Sequence, residues 1–339
     1  MGRGAGVIEA YVEPSGESAD LARAEAIAAA EALGGSGTPG GTELLVGVRV
    51  PDLRALGALA ARLALARRCL VEVRPGVPTD RRLREEGADG ASASVRRLGR
   101  SPGASDETVR AAGRAYREGG GRIDLERPER RYWLLSGGEG TGDRLLREVA
   151  AVDRADTAAR RMPLLPFQRP VSLPPRLARA AANLARIRSG DRVVDPFVGT
   201  GALLAEAALL GARTYGIDRD ATMVRGALRN FAHLKVDAAA LVEGDAGAAD
   251  FERGPGEFDA LLTDPPYGRS SSTGGEDAPT VAARILPRWA DRLRRGARAV
   301  IVAPLGSPPL PDPWVVRTAV PVRVHRSLTR EFRVFERSD

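Results

Sequence analysis

The sequence is poor in the residues that serve thiol, imidazole and metal chemistry. Among 339 residues there is one cysteine, Cys69, and there are two histidines, His233 and His325. A single cysteine excludes an internal disulfide and a cysteine-cluster zinc site. Neither histidine lies in a recognisable nucleophile motif, so we expect both to be structural or surface residues. We therefore expect a reaction that needs no metal and no thiol.

Long apolar runs are also missing. No stretch approaches the roughly 18 continuous apolar residues that span a bilayer. The N-terminus meets an acid at Glu9 and has no apolar core of signal-peptide length. Hydrophobic residues still make up 43% of the chain, which is enough to bury sizeable cores. We expect a cytoplasmic protein of two or three domains with no membrane partner.

Lysine is almost absent, since Lys235 is the only lysine among 51 basic residues. The net charge of +7 favours an acidic polymer as partner, although a compositional bias of the genome explains it equally well. Residues 1–48 carry 2 basic against 7 acidic residues, residues 49–168 carry 24 against 17, and residues 169–339 carry 25 against 20. The basic excess is confined to the middle and C-terminal segments, as in proteins that contact nucleic acid.

Strand-like and helix-like stretches alternate along the chain. A glycine-rich and charged stretch, residues 137–168, interrupts them and is predicted to be a linker. After Arg169 the alternation is regular, and the last two strand-like stretches alternate as an antiparallel hairpin does. The pattern predicts an α/β fold whose C-terminal part is a mostly parallel, doubly wound sheet.

Four aspartates follow four successive predicted strands of the C-terminal part: Asp195, Asp218, Asp245 and Asp264. In an open α/β sheet this edge is where ligands bind. The turn "DPFVGTG" places Gly199 and Gly201 where a ligand must approach the backbone closely. Asp218 can accept both hydroxyls of a ribose, and Asp245 can accept an adenine amine. The predicted ligand therefore contains adenosine.

The glycine turn fits S-adenosylmethionine better than a nicotinamide dinucleotide. A dinucleotide site usually has G-x-G-x-x-G with a helix N-terminus facing the pyrophosphate. Here only "GTGALLA" (199–205) is present, and Asp195 before it would repel a phosphate. A sulfonium with an amino-acid tail tolerates that acid. We therefore predict S-adenosylmethionine as the cofactor. Its predicted binding residues are Asp195, Phe197, Gly199, Thr200, Gly201, Asp218 and Asp245.

The stretch "TDPPYG" (263–268) is stiff and poor in donors, because two adjacent prolines remove two N–H groups and fix two φ angles. The exocyclic amine of a base is a poor nucleophile, since its lone pair is delocalised into the ring. Asp264 and the carbonyl of Pro265 can accept the two amine hydrogens, with Pro266 holding them in place. Tyr267 offers a face on which the base can stack. These four residues are the predicted catalytic site.

Other methyl-transfer chemistries fit this sequence poorly. Methylation of a pyrimidine ring carbon commonly uses a cysteine nucleophile, and Cys69 lies outside the predicted catalytic half. Ribose methylation by a lysine-rich tetrad does not suit a chain with a single lysine. Methylation of a base amine is the interpretation that remains.

Five stretches together resemble the tRNA guanine-10 amine methyltransferases: "RPVSLPPRLARAAANLARI", "VVDPFVGTGALLAEAALLG", "YGIDRD", "TDPPYG" and "HRSLTREFRVFE". The resemblance is nearly continuous over 169–339, and it is weaker but in the same order before that. It implies a ferredoxin-like α/β segment over 1–48, a THUMP-like RNA-binding region over 49–136, a linker over 137–168 and a Rossmann-like methyltransferase domain over 169–339. The domain would hold a mostly parallel seven-stranded sheet with an antiparallel terminal hairpin.

The resemblance also implies a substrate and partners. These would be guanine 10 of tRNA and, in some lineages, a small zinc-binding activator subunit. Arg96, Arg97 and Arg100 are the predicted RNA backbone contacts. The sequence departs from the family at Val198, where a cysteine is frequent, and in the shortened stretch 74–90. The alternatives are an amine methyltransferase acting on ribosomal RNA guanine or DNA adenine, and a non-catalytic RNA-binding protein.

Overall fold

The structure is a computed structural model, and it describes residues 6–16, 18–99, 106–136, 143–160, 164–169, 172–247, 258–265, 278–307, 310, 314–325 and 328–338. The strands are β1 (Ile8–Pro14), β2 (Ser36–Gly37), β3 (Val46–Val50), β4 (Ala66–Glu72), β5 (Ser92–Arg97), β6 (Arg122–Ile123), β7 (Arg130–Leu135), β8 (Arg144–Ala151), β9 (Arg192–Asp195), β10 (Arg213–Asp218), β11 (Ala240–Glu243), β12 (Phe258–Thr263), β13 (Leu293–Pro304), β14 (Trp314–His325) and β15 (Leu328–Arg337). The helices are α1 (Ala19–Ala32), α2 (Leu53–Arg62), α3 (Thr79–Gly87), α4 (Asp106–Glu118), α5 (Arg154–Ala159), α6 (Pro175–Leu184), α7 (Ala202–Leu209), α8 (Ala221–Leu234) and α9 (Ala278–Ala290).

The chain divides into two compact units that interleave along the sequence. The first comprises Met1–Pro14, Gly34–Ala61 and Ala66–Val152, and the second comprises Ser15–Leu33, Arg62–Leu65 and Asp153–Asp339. The boundaries that the sequence places after residues 48, 136 and 168 stay predictions. The predicted fold class is confirmed, because the structure is α/β and contains two sheets.

The first unit is built on an eight-stranded sheet in the order β2-β3-β1-β4-β8-β7-β5-β6. β5 runs parallel to β6 and β7, and the other neighbours are antiparallel. Helices α3 and α4 pack on one face through buried side chains that include Leu83, Tyr116 and Tyr132. The Tyr116 and Tyr132 rings lie 5.8 Å apart at a tilt of 50°.

The prediction that residues 137–168 form a linker is wrong for the middle of that stretch, which contains β8 and α5. β8 lies between β4 and β7 and pairs antiparallel with both. Its apolar residues Leu145 and Leu146 are adjacent rather than alternating, and three charged residues surround them, so no period-2 pattern is visible. The strand forms because two neighbouring strands satisfy its backbone, which is a tertiary effect.

The second unit contains a seven-stranded sheet in the order β11-β10-β9-β12-β13-β15-β14. The five strands from β11 to β13 are parallel, and β15 and β14 form the antiparallel terminal hairpin. This confirms the predicted sheet. The central parallel strands are buried on both faces, as the apolar run of Val193 and Val194 at 0% exposure illustrates.

The connections place a switch point beside β9. The chain steps outward from β9 to β10 and β11, and then crosses to β12 on the other side of β9. In open α/β sheets, ligands bind at the carboxyl ends of the strands beside such a switch point. The predicted site residues follow these strand ends.

Helix α1 belongs to the second unit by its packing. Leu21 and Ala28 of α1, with Ala64 and Leu65, share one buried cluster with the alanine-rich helix α6. Glu25, at 0% exposure, accepts hydrogen bonds from the N–H groups of Ala64 and Leu65 at 2.9 Å. Its Oε1 also accepts from Asn183 Nδ2 of α6 at 2.8 Å. A sequence near the N-terminus thereby completes the core of the C-terminal sheet.

Candidate active site

Asp195 is the last residue of β9, and it is 2% exposed. Its Oδ1 accepts hydrogen bonds from the Phe197 N–H at 2.9 Å and from the Thr263 hydroxyl at 2.7 Å. Burial raises the pKa of this carboxyl to about 7, and the hydrogen bonds only partly oppose that shift. The bond to Thr263 ties the end of β9 to the end of β12 across the switch point.

The glycine turn after β9 is held by Asp218, the last residue of β10. Asp218 Oδ2 accepts from the Gly199 N–H at 2.9 Å, and Oδ1 accepts from the Asp220 N–H at 2.9 Å. Gly199 and Gly201 have φ of +52° and +82°, a region that favours glycine. A Cβ on Gly201 would also lie 3.0 Å from the Phe231 ring. The turn is therefore closely packed, and α7 starts directly after it.

Both oxygens of Asp218 are already bonded to backbone donors, yet an ionised carboxylate offers about four lone-pair positions. Partial burial raises the pKa of Asp218 above its ordinary value. The predicted contact to two ribose hydroxyls therefore requires Asp218 to serve the backbone and the ligand together. The structure reveals the first of these roles, and the second stays a prediction.

Asp245 lies two residues after β11, and it forms an ion pair with Arg219. Its Oδ1 accepts from the Gly247 N–H at 2.8 Å. The bond to Arg219 holds the pKa of Asp245 below its ordinary value. The carboxylate is therefore charged and about two-fifths exposed, at 39%. Asp245 can accept a hydrogen bond from a ligand, and its predicted contact with the adenine amine stays a prediction.

Thr200, inside the glycine turn, is anchored from two directions. Its hydroxyl lies 3.0 Å from that of Ser172, and its carbonyl accepts from Asn230 Nδ2 at 3.0 Å. Asn230, on α8 and 2% exposed, also binds both the N–H and the carbonyl of Phe167 at 3.0 Å. One buried amide thus connects α8, the turn and the segment before α6. Phe197 is half-buried beside these groups and packs on the core that contains Trp289.

Asp264 follows β12 directly, and its Oδ2 forms an ion pair with Arg330 of β15. The Asp264 side chain is 18% exposed and that of Arg330 is 6% exposed. Pro265 is buried beside it. Pro266 and Tyr267 lie outside the described residues. The structure therefore places half of the predicted catalytic motif at the switch-point edge.

The site collects negative charge on neighbouring strand ends. Asp264 and Asp218 both act electrostatically to raise the pKa of Asp195. Two of the four strand-end carboxylates are paired with a cation, Asp264 with Arg330 and Asp245 with Arg219.

The predicted RNA contacts lie on the first unit. Arg96 and Arg97 are exposed at the end of β5. The Arg96 guanidinium donates to the Leu125 carbonyl at 2.7 Å, so part of its donor capacity is used within the unit. Arg100 lies outside the described residues.

Four residues of the site were not predicted from the sequence: Thr263, Arg219, Asn230 and Arg330. Arg219 follows Asp218 directly in the chain, so adjacency to a predicted site residue was a signal for it. Arg330 lies inside the quoted stretch "HRSLTREFRVFE", which marked the segment but not the residue, and nothing in the local sequence marks Asn230.

Comparison with known families agrees with this geometry. Residues 164–306 match the UPF0020 family model, described as the RMKL-like methyltransferase domain. The matched range contains the glycine turn and all four strand-end aspartates. This part of the chain is similar to the UPF0020 methyltransferase domain. The match ends before β14 and β15, so Arg330 lies outside it.

Relatives of the methyltransferase domain carry a consistent name. The tRNA (guanine(10)-N2)-dimethyltransferase of Methanothermobacter thermautotrophicus is 36% identical over 221 residues, covering 64% of this chain and 64% of that protein. The protein of the same name from Pyrococcus abyssi is 46% identical over 108 residues, 32% of each chain. The alignments thus span less than two thirds of these relatives. They confirm the resemblance that the sequence motifs predict.

A solved structure extends the likeness in fold to nearly the whole chain. The crystal structure of TrmN from Thermus thermophilus superposes with a TM-score of 0.50 at 24% identity, covering 97% of this chain and 99% of that one. At that identity the likeness concerns the fold alone. It supports an α/β fold over nearly the whole chain.

Proposed function

We propose that this chain transfers a methyl group from S-adenosylmethionine to the exocyclic N2 amine of guanine 10 in tRNA. The observation that carries the proposal is the position of Asp264. It lies at the end of β12, adjacent to the glycine turn that follows β9, on the switch-point edge of a methyltransferase domain. The names of the relatives support the choice of guanine and of tRNA.

The residues present fit this cofactor. At Gly199 a Cβ would meet only the Phe197 carbonyl, at 3.9 Å, so a ligand can approach the backbone there. Asp218 and Asp245 supply acceptors at or just after the ends of adjacent parallel strands. A ribose and an adenine amine need acceptors of that kind. When bound, S-adenosylmethionine supplies an activated methyl group on a sulfonium.

The chain's own contribution to the reaction is to hold and polarise the amine. The Asp264 carboxylate and the Pro265 carbonyl would accept its two hydrogens, which turns the nitrogen lone pair away from the ring. The Asp264 charge would stabilise the positive charge that develops on nitrogen during attack. Because the carboxylate is fixed before the base arrives, it does not have to reorganise during the reaction.

The resemblance extends the proposal to partners and location. The excess of 24 basic over 17 acidic residues across 49–168 would attract the tRNA backbone, with Arg96 and Arg97 among the contacts. A small zinc-binding activator subunit is a second proposed partner. The cytoplasm is the proposed location. Within the described ranges, no helix has the length and apolar character that a bilayer crossing requires.

The proposal is tested by incubating the purified chain with labelled cofactor and tRNA transcripts. We expect label on the transcript with guanine at position 10 and none on a matched transcript with adenine there. Ribosomal RNA and DNA in parallel reactions test the two other substrates. Label on either of those alone would overturn the choice of tRNA. Activity that requires an added zinc-binding subunit would identify the activator as obligatory.

The Asp264→Asn variant tests the role of the carboxylate. It should lower kcat by about 100-fold or more, the range for losing one preorganised charge-stabilising group. Cofactor affinity, measured by calorimetry, should persist. Asp259→Asn is the matched control, because Asp259 is an acid on the same strand that accepts from Arg294 at 2.7 Å and from the Arg192 N–H at 2.8 Å instead. Full activity of the Asp264→Asn variant would contradict the mechanism. If the wild-type protein does not bind the cofactor, a non-catalytic RNA-binding protein would be favoured instead.

A further inference from the structure

We propose that Arg330 is a positioning residue that orients the Asp264 carboxylate for methyl transfer, an inference that rests on the proposed function of Asp264. Arg330 lies in the terminal hairpin, outside the segment that matches the methyltransferase family model. It would make the hairpin part of the active site rather than a cover for the edge of the sheet.

The antiparallel direction of β15 brings Arg330 to the reactive edge. β12 and β13 are parallel and end at Thr263 and Pro304, so their carboxyl ends share one edge of the sheet. β15 starts at this edge, and its third residue, Arg330, is in register with Pro304. A parallel strand would have its last residues at this edge. The antiparallel direction of β15 is therefore what places Arg330 at the end of β12.

Arginine suits this task better than another cation. Arg330 is 5% exposed, so its position is fixed by the surrounding core. The guanidinium donates through Nη1 to one carboxylate oxygen, Asp264 Oδ2, and its rigid plane restricts the direction of that bond more than a compact ammonium would. Asp264 next to the buried Asp195 would otherwise bring two carboxylates together in a poorly solvated place. The ion pair offsets that repulsion and sets the direction in which Asp264 presents its oxygens.

The other charged groups near this pair have identifiable partners. On β9 and β10 the nearby carboxylates are Asp195 and Asp218, bonded to Thr263 and to backbone N–H groups. On β15 itself, Glu331 pairs with Arg333 at 3.3 Å. Arg333 also donates to the Ser307 carbonyl at 2.9 Å. Arg333 is thus a buried arginine on the same strand as Arg330 that donates to a backbone carbonyl after β13. It can therefore serve as a control for Arg330.

The test compares Arg330→Met, Arg330→Lys and Arg333→Met in the full-length chain. We expect Arg330→Met to lower kcat on tRNA about 10- to 100-fold, the range for losing a hydrogen bond to a charged group. Its KM for the cofactor should be unchanged, because the ribose and adenine contacts lie on other strands. Arg330→Lys should recover part of the activity. Arg333→Met should lower the melting temperature without changing kcat.

A crystal structure of Arg330→Met supplies a readout that does not depend on activity. The Asp264 carboxylate should adopt a different rotamer from that in wild-type protein. If Arg330→Met does not fold, the lysine variant replaces it in both measurements, with lower kcat at an unchanged melting temperature as the expected result.

The outcomes separate this inference from the proposed function. Wild-type protein that fails to methylate tRNA would overturn the proposed function, and the crystal structure would still decide whether Arg330 orients Asp264. An unchanged Asp264 rotamer would overturn the positioning role. So would an unchanged kcat in Arg330→Met, or an equal loss of kcat in Arg333→Met.

Discussion

At the scale of single residues, the site is governed by carboxylates in unequal surroundings. Asp195 is buried, and burial raises its pKa to about 7 although two accepted hydrogen bonds oppose the shift. Asp245 pairs with Arg219, so its pKa falls. Asp264 pairs with Arg330. Residues of one type therefore carry different charges near neutral pH, and burial and the nearest cation decide which.

The Asp195 shift predicts how stability depends on pH. Folding raises the pKa from the ordinary 3.8 to about 7, so the folded state retains a proton that the unfolded chain loses. The resulting stabilisation is complete below about pH 4 and is lost as pH rises through 7. Asp195→Asn keeps the shape but has no proton to lose.

Urea denaturation at pH 5 and pH 7.5 checks this expectation. The free energy of unfolding of the wild type should fall relative to that of Asp195→Asn as pH rises, by at most about 1.4 kcal/mol per pH unit. A difference that stays constant between the two pH values would show that Asp195 is ionised throughout.

At the scale of elements, a buried ionic cluster connects three helices of the second unit. Glu206 of α7, with a side chain 3% exposed, binds Arg160 at the end of α5 at 2.8 Å and Arg179 of α6 at 2.7 Å. Arg160 also pairs at 2.6 Å with Asp156, whose side chain is 58% exposed. One arginine thus has a buried and an exposed acidic partner, which permits a matched comparison.

Glu206→Ala should destabilise the chain by about 3–5 kcal/mol, because it removes the buried carboxylate partner of Arg179 and leaves Arg160 with only the exposed Asp156. Asp156→Ala should cost about 1 kcal/mol or less, since water already solvates that pair. Chemical denaturation of both variants measures the difference. Equal effects would mean that the buried cluster adds nothing beyond a surface ion pair.

At the scale of the whole molecule, the methyltransferase unit draws on distant parts of the chain. Residues Ser15–Leu33 and Arg62–Leu65 belong to it together with Asp153–Asp339. Leu21, at 0% exposure, packs in the same cluster as Leu184 and Val193. The core of this unit is therefore incomplete without the N-terminal helix.

A fragment of residues 153–339 should consequently unfold at lower urea concentration than the methyltransferase unit in the full chain, or aggregate. Leu21→Ala in the full chain is the milder counterpart and should cost about 2–5 kcal/mol, the range for a leucine truncated in a core. A fragment as stable as the full chain would contradict the division into units and favour the boundary after residue 168.

The sequence by itself determined the parts of the site that depend on local order along the chain. Parallel strands bring their carboxyl ends to one edge, so an aspartate after each of four strands predicts the ligand edge from residue order alone. The glycine turn and the proline pair are equally local, because their backbone geometry follows from the residue types. The antiparallel hairpin is predicted by its alternation.

Only the tertiary structure decided which distant residues complete that edge. Arg330 reaches Asp264 across 66 positions and Thr263 reaches Asp195 across 68. β8 became a strand because two neighbours satisfy its backbone, and α1 joined the second core through Glu25. Contacts of this kind arise from packing and strand direction, and a residue's neighbours in the chain carry no record of them.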